Sequence, residues 1–427
     1  MNRVPDTLDD IDRRFAEPSR SRLRTLVEFA QLYRGWTGRE AAAFLRRDVH
    51  NVILGSGVPK VDLILRLARA LDWPATAILD EVCGDAVTDA GPSDAGDRNF
   101  SELNRLAYAA FSEGRFEDQI RLARTMRTAA STPEERATAC LREYGGWDGL
   151  GRYEQAMAVV QRGLVEAGLS EHLKLRLRAN LASTHFALGR CAEGEGVASL
   201  VVDRIDELRG EGPTWTGVLA TALYVRGACR RSMATQDDQD RSRLGRSAAA
   251  DLRRAQQTWT TYHELTSVDN YAAAAKICEG MLTGAQALAG DRSVQSAVDE
   301  LLAGLEVIVD PSSMRAGWWR EAFGWWCVVG ADLILSQDAR RPDLDQALAV
   351  FTNKGHELAE VSGHWLLRER VLTLEHLRRS GQRGVFVEPC TTTLDGEDLR
   401  ALAGVMARFP AFRPLGWELV RTAKRID

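Results

Sequence analysis

The chain is short of lysine and of every signature that marks an enzyme. Only five of its 55 basic residues are lysines, Lys60, Lys174, Lys276, Lys354 and Lys424, so its positive charge is nearly all guanidinium. The net charge of −5 excludes a protein that is basic overall. It leaves room for one basic module, because a phosphate responds to the local field. The seven cysteines, Cys83, Cys140, Cys191, Cys229, Cys278, Cys327 and Cys390, form no CxxC pair. Most fall in apolar helical stretches and read as small buried hydrophobes in a reducing compartment. The seven histidines show no ligand spacing with each other or with cysteine, and HELAE at 356–360 lacks the second histidine of a zinc protease motif. GSGVPK at 55–60 follows a helical stretch and is no phosphate loop, and GxSxG is missing. No enzyme, metal or cofactor is therefore expected. The start, MNRVPDTLDD, lacks the apolar run of a signal peptide, and the most apolar run, 325–335, is broken by Asp332. A cytoplasmic protein that spans no membrane is expected.

What is present is helical periodicity. Residues 20–83 read as a small helical unit. Leu23, Leu26, Val27, Ala30 and Tyr33 share a face of a first helix. Thr37 with Glu40 three residues on is a capping-box pattern that opens a short second helix, GREAAAFLRR. DVHNVIL is a short third. VDLILRLARALDW is a fourth with Val61, Ile64, Leu65, Ala68 and Leu71 on one face, and Pro74 opens a fifth. Between Arg20 and Ala70 there are ten basic residues against four acidic ones.

This pattern resembles the lambda-repressor-like, XRE-type helix-turn-helix domain. The resemblance is carried by Thr37, Glu40, Ala42, Leu45, Val52, Ile53, Gly55 and Pro59, and most closely by LRLARALDWPATAILDEV at 65–82. It implies that the third helix lies in a major groove and the second crosses the backbone. The DNA-contacting residues it implies are Arg39, Arg46, Arg47, His50, Asn51, Ser56 and Lys60. The family pattern has about sixteen residues from Ala42 to Gly55 where this chain has thirteen, so about one turn is absent before the reading helix. The unit is thus either a DNA-reading head or a module that keeps the shape and serves docking or dimerisation.

Residues 84–99, rich in Gly, Ala and Asp, read as a flexible linker. From 100 to 378 a helix–turn–helix unit recurs. Gly114 with Phe116, Gly151 with Tyr153 and Gly189 with Cys191 mark its turns, spaced 37 and 38 residues apart. The pattern resembles the tetratricopeptide repeat, which implies an α-solenoid with a concave groove. Later pairs are expected on either side of ATQDDQDRSRLG, then across 270–308 and 318–363, with HWLLRERVLTLEHLRRSG closing the stack. Trp318, Trp319, Trp325 and Trp326 are candidates to line the groove for a peptide or protein partner; the alternative is inter-repeat core. Residues 379–427 are expected to form an extended strap, then helices that cap the stack.

The expected fold is all-α: a five-helix head followed by a tetratricopeptide-like solenoid. The architecture resembles the Gram-positive peptide-sensing regulators. That resemblance implies a homodimeric DNA-binding regulator whose repeats sense a peptide, a small ligand or a protein. The alternative is a helical-repeat adaptor that does not bind DNA.

Overall fold

A computed structural model describes residues 22–46, 60–71, 73, 75, 78–79, 81–82, 98–208, 212–308, 310–314, 318–337, 342–380 and 393–425. The chain is all-α. The non-helical pairing among these residues is a two-residue parallel bridge, Thr393–Leu394 with Lys424–Arg425. It divides into two compact units, residues 92–389 and a second made of 1–91 with 390–427.

The head begins with α1, residues 22–34, then α2, Gly38–Leu45, and α3, Val61–Leu71. Leu23, Leu26, Val27 and Ala30 are buried as their spacing requires, with Tyr33 only partly covered. In α3 the buried stripe is Leu63, Ile64, Leu67, Ala68 and Leu71. Val61 and Leu65, expected on that stripe, point out at 72% and 48% exposure. The stripe runs one position away from the expected one, and Leu63 and Leu67 take the inward places. Asp48, His50 and Asn51, with the whole expected third helix, lie outside the described residues, as do Arg47 and Ser56.

The C-terminal helices, expected to cap the stack, fall in the head's unit. α17, Gly396–Arg408, and α18, Arg413–Thr422, belong to the head's unit. α1 has a second buried position, Phe29, whose ring meets Trp417 of α18 at 4.9 Å. Arg408 of α17 lies 3.4 Å from Glu81, and both are well buried. The apolar faces of α17 and α18 find partners within that unit. Asp395 caps α17 as its sequence position suggests, accepting from the Glu397 and Asp398 amides. Most of the expected strap lies outside the described residues.

The second unit is a tetratricopeptide-like solenoid of helix pairs. They are α4, Phe100–Ser112, with α5, Phe116–Ala129; α6, Pro133–Gly149, with α7, Tyr153–Leu164; and α8, Glu171–Ala187, with α9, Cys191–Glu207. Next come α10, Pro213–Ala234, with α11, Arg241–Thr266; α12, Asp269–Ala289, with α13, Val294–Leu305; and α14, Trp318–Leu335, with α15, Pro342–Ser362. α16, Trp365–Ser380, closes the series.

The first three turns share one construction. Gly114, Gly151 and Gly189 all take φ near +70° (73°, 68° and 75°), and each amide donates to the carbonyl three residues back. The amide of the following arginine, Arg115, Arg152 or Arg190, donates to the carbonyl five residues back at 2.8 Å. This is the Schellman closure of a helix C-terminus, and it demands a left-handed residue that glycine supplies without strain.

The unit curls until later inner helices meet earlier ones. Trp365 of α16 packs on Gly151, where an added Cβ would stand 2.7 Å from the Trp365 Cβ. Arg370 Nη2 reaches the Phe186 carbonyl at 3.5 Å, and the Phe186 ring lies 5.9 Å from Trp325 of α14. Arg231 of α10, almost wholly buried, pairs with Asp332 of α14 at 3.1 Å. No helix among the described residues is long and apolar enough to cross a membrane.

Candidate functional site

In the head, α2 is held at both ends by side chains. Thr37 Oγ1 accepts from the Glu40 amide at 3.3 Å, and Glu40 Oε2 accepts from the Thr37 amide at 2.7 Å. The Thr37 amide and hydroxyl, both donating to the Glu40 carboxylate, hold it below its ordinary range. At the other end Arg46 adopts the left-handed conformation (φ 51°), its amide donating to the Ala42 and Ala43 carbonyls. Thr37→Ala is expected to cost about 1 kcal/mol by removing the cap. Amide hydrogen exchange across 38–42 checks this; unchanged protection there would show that the cap contributes nothing.

The basic face is smaller than a charge count implies, because two of its arginines turn to helix carbonyls. Arg34 Nε donates to the Ala70 carbonyl at 2.7 Å and its Nη2 to that of Arg69 at 3.0 Å, closing the C-terminus of α3. Arg66 Nη1 donates to the Phe44 carbonyl at the end of α2 at 3.3 Å. A guanidinium at a helix C-terminus satisfies otherwise orphaned carbonyls and opposes the helix dipole. Arg24 pairs with Glu28 along α1.

Of the expected contact residues, those described are Arg39 on α2, Arg46 at its end and Lys60 just before α3. All three are exposed, and among the described residues none has a side-chain hydrogen bond or ion pair. They contrast with many arginines of the repeat unit. There, Arg124 and Arg162 converge on buried Glu143, and Arg226 and Arg230 on buried Asp251. The head also exposes apolar side chains. Phe44, 37% exposed, lies 4.7 Å from Trp36, and Val61 and Leu65 stand out on α3.

Two of the four tryptophans of α14, Trp325 and Trp326, pack as core. Trp325 and Trp326 are 2% and 3% exposed. Trp326 Nε1 donates to the Lys276 carbonyl at 2.8 Å, and its ring fills the space left open by Gly280 and Gly304. Trp318 is half-buried against the core around Trp259 and Cys278, and Trp319 is half-buried. Trp326 is drawn inward because the facing helices offer glycines to receive its ring.

The inner faces carry instead a polar group that spacing along the sequence does not reveal. Tyr144 Oη donates to Asp148 Oδ1 at 3.3 Å on α6. Across from it, Trp325 Nε1 donates to Glu321 Oε1 at 3.2 Å, and His364 Nε2 lies 3.4 Å from the same oxygen. The Leu367 amide donates to His364 Nδ1 at 3.2 Å, which places the ring proton on Nε2, toward Glu321. Burial pushes the Asp148 carboxyl up to about 6; Glu321 adds to the rise and His364 opposes it. Burial and the neighbouring Asp148 hold the Tyr144 hydroxyl well above its ordinary range. Two carboxylates, an imidazole and a phenol thus meet from α6, α14 and the residue before α16, segments distant in sequence. Among the described residues no group of His, Cys, Asp or Glu is arranged to hold a metal ion.

Two surface pockets are also present. One of about 550 Å³ lies between Gly35, Trp36, Trp417 and Arg421 in the head's unit. The other, about 500 Å³, has Glu195, Arg230, Asp240 and Arg243 on its walls and carries mixed charge.

No family model matches the chain, and no curated protein sequence does. The crystal structure of PlcR from Bacillus thuringiensis, in complex with the peptide PapR7 and DNA, is similar to it at a TM-score of 0.34 and 12% identity, over 68% of this chain and 99% of that one.

Proposed function

We propose that the chain is a DNA-binding transcription regulator whose repeat unit senses a peptide, a small ligand or a protein. The observation that carries this is the trio Arg39, Arg46 and Lys60. These cations are exposed, and unpartnered among the described residues, on the short helix and helix start that flank the expected reading segment. In a chain of net charge −5, unneutralised cations gathered on one small helical unit are suited to phosphate oxygens. α2 would lie across the backbone, held rigid by its capping box. A dimer on a two-part operator follows from the expected head type.

Salt-titrated binding to random duplex DNA tests it. The wild-type chain is expected to show a steep negative log–log slope. Changing Arg39, Arg46 and Lys60 together to Ala should make that slope shallower by about 2–3, at ~0.9 for each phosphate no longer neutralised. No binding at low salt would sink this function.

The second function, a helical-repeat adaptor with the head as docking or dimerisation module, is favoured by Phe44, Val61 and Leu65. These large apolar side chains stand exposed on the same unit. Under that function, Leu65→Glu abolishes self-association in sedimentation velocity while DNA binding is nil in both proteins.

A further inference from the structure

Cys191 departs from its counterparts in the repeat. It is the first residue of α9, directly after the Gly189–Arg190 turn, where the two preceding copies carry Phe116 and Tyr153. The Phe116 ring fills its place by packing on Gly149 of the next inner helix. In the third copy the aromatic is lost, and the next inner helix, α10, presents Cys229 instead. The Cys229 sulfur lies 3.0 Å from where a Cβ on Gly194 would stand, one turn into α9 on the face that bears Cys191. The two thiols are close enough to act on each other's acidity. Cys229 is fully buried, and Cys191 is half-buried, open to a small reagent.

The surroundings favour a thiolate on Cys191 and disfavour one at the other cysteines among the described residues. The Cys229 hydrogen bond, followed by Ser232 and the charges of Arg370 and Arg231, brings the Cys191 thiol down to about 6 against the effect of burial. Burial raises the Cys140, Cys278 and Cys327 thiols, and Cys229 is raised by its bond to Cys191 and by burial. A thiolate at a helix N-terminus beside guanidinium groups is the reactive form of cysteine.

We propose that Cys191 and Cys229 form a dithiol oxidised by small hydroperoxides, with Cys191 as the attacking sulfur and Cys229 as the resolving one. The Cys191 thiolate attacks one peroxide oxygen. The O–O bond breaks, hydroxide or alkoxide leaves, and after proton transfer Cys191 is a sulfenic acid. The Cys229 sulfur then attacks the Cys191 sulfur. The S–O bond breaks, water leaves with the Cys229 proton, and the disulfide forms. The two sulfurs together lose two electrons, and the peroxide takes them. In the reduced state the anionic sulfur faces Arg370, the side chain that reaches the Phe186 carbonyl; oxidation removes that charge where α16 meets the third copy.

The test uses the full chain, reduced, desalted and exposed to stoichiometric hydrogen peroxide, then alkylated under denaturing conditions and peptide-mapped. The expected result is loss of two alkylatable thiols and a linked peptide pair containing Cys191 and Cys229. Cys229→Ser should stop at a sulfenic acid on Cys191, trapped by a dimedone probe, and Cys191→Ser should show neither product. Wild-type mapping stands alone if a variant fails to fold. Oxidation appearing first at another cysteine, or a disulfide joining any other pair, overturns the proposal. So does a Cys191 that stays fully alkylatable.

Discussion

Replacing Trp326 by alanine is expected to destabilise the repeat unit by about 3–5 kcal/mol, the cost of emptying a large, close-packed core position. The ring joins three helices. Its Nε1 donates to the Lys276 carbonyl of α12 at 2.8 Å, and the Lys276 ammonium sits 4.5 Å from the ring centroid. A Cβ at Gly280 would stand 2.3 Å from the ring, and one at Gly304 on α13 2.1 Å. Phe323 on the same helix meets it edge-on at 5.6 Å. Alanine would leave a void walled by two glycines, which have no side chain to fill it, and would remove the indole's hydrogen bond to the Lys276 carbonyl. Urea unfolding followed by far-ultraviolet circular dichroism reads the loss. A change below ~1 kcal/mol would mean that the ring lines open space after all, and Trp319→Ala, at a half-buried position, serves as the mild control.

The repeat turns were readable because their chemistry is local. A helix end closed by 6→1 and 5→2 bonds needs a left-handed residue, and Gly114, Gly151 and Gly189 provide it at each copy. Thr37 and Glu40 announce α2 for the same reason, since both halves of a capping box lie within one turn. Contacts between distant copies leave no such mark. Arg231 and Asp332 are 101 residues apart, and Arg370 and Phe186 are 184 apart. No periodicity pairs them, so Asp148, Glu321 and His364 go unnoticed as a group.

Charge counting fails in a related way. Arg34 and Arg66 count as surface cations in the sequence, but bare helix-end carbonyls lie within reach and claim them. Phe29 lies off the main apolar stripe of α1, and only its buried contact with Trp417 shows that this helix has two faces to cover. The tryptophan pair was ambiguous for another reason: aromatic groove linings and aromatic cores have the same spacing, and the glycines opposite decide between them.

Asp148→Asn is expected to stabilise the repeat unit at pH 8 and to leave it little changed at pH 4. Burial raises the Asp148 carboxyl to about 6, against about 3.8 for an unburied one, with Glu321 pushing the same way and His364 the other. The folded chain therefore holds this proton more tightly than the unfolded chain. That preference stabilises the fold fully below pH ~4 and is lost as pH rises through 6, where the fold must keep a buried anion near Tyr144, Glu321 and His364. The difference is worth at most about 3 kcal/mol at 1.36 per unit, and water reaching the half-buried carboxyl reduces it to about 1–2 kcal/mol. Asparagine keeps an oxygen to accept from Tyr144 and carries no charge, so it retains the hydrogen bond and avoids the cost. Urea unfolding of both proteins from pH 4 to pH 8 should show the stability gap opening between pH 4 and 7 and holding constant above. A gap independent of pH would place the Asp148 carboxylate in contact with solvent water and remove the inner polar group as a titrating element of the repeat unit.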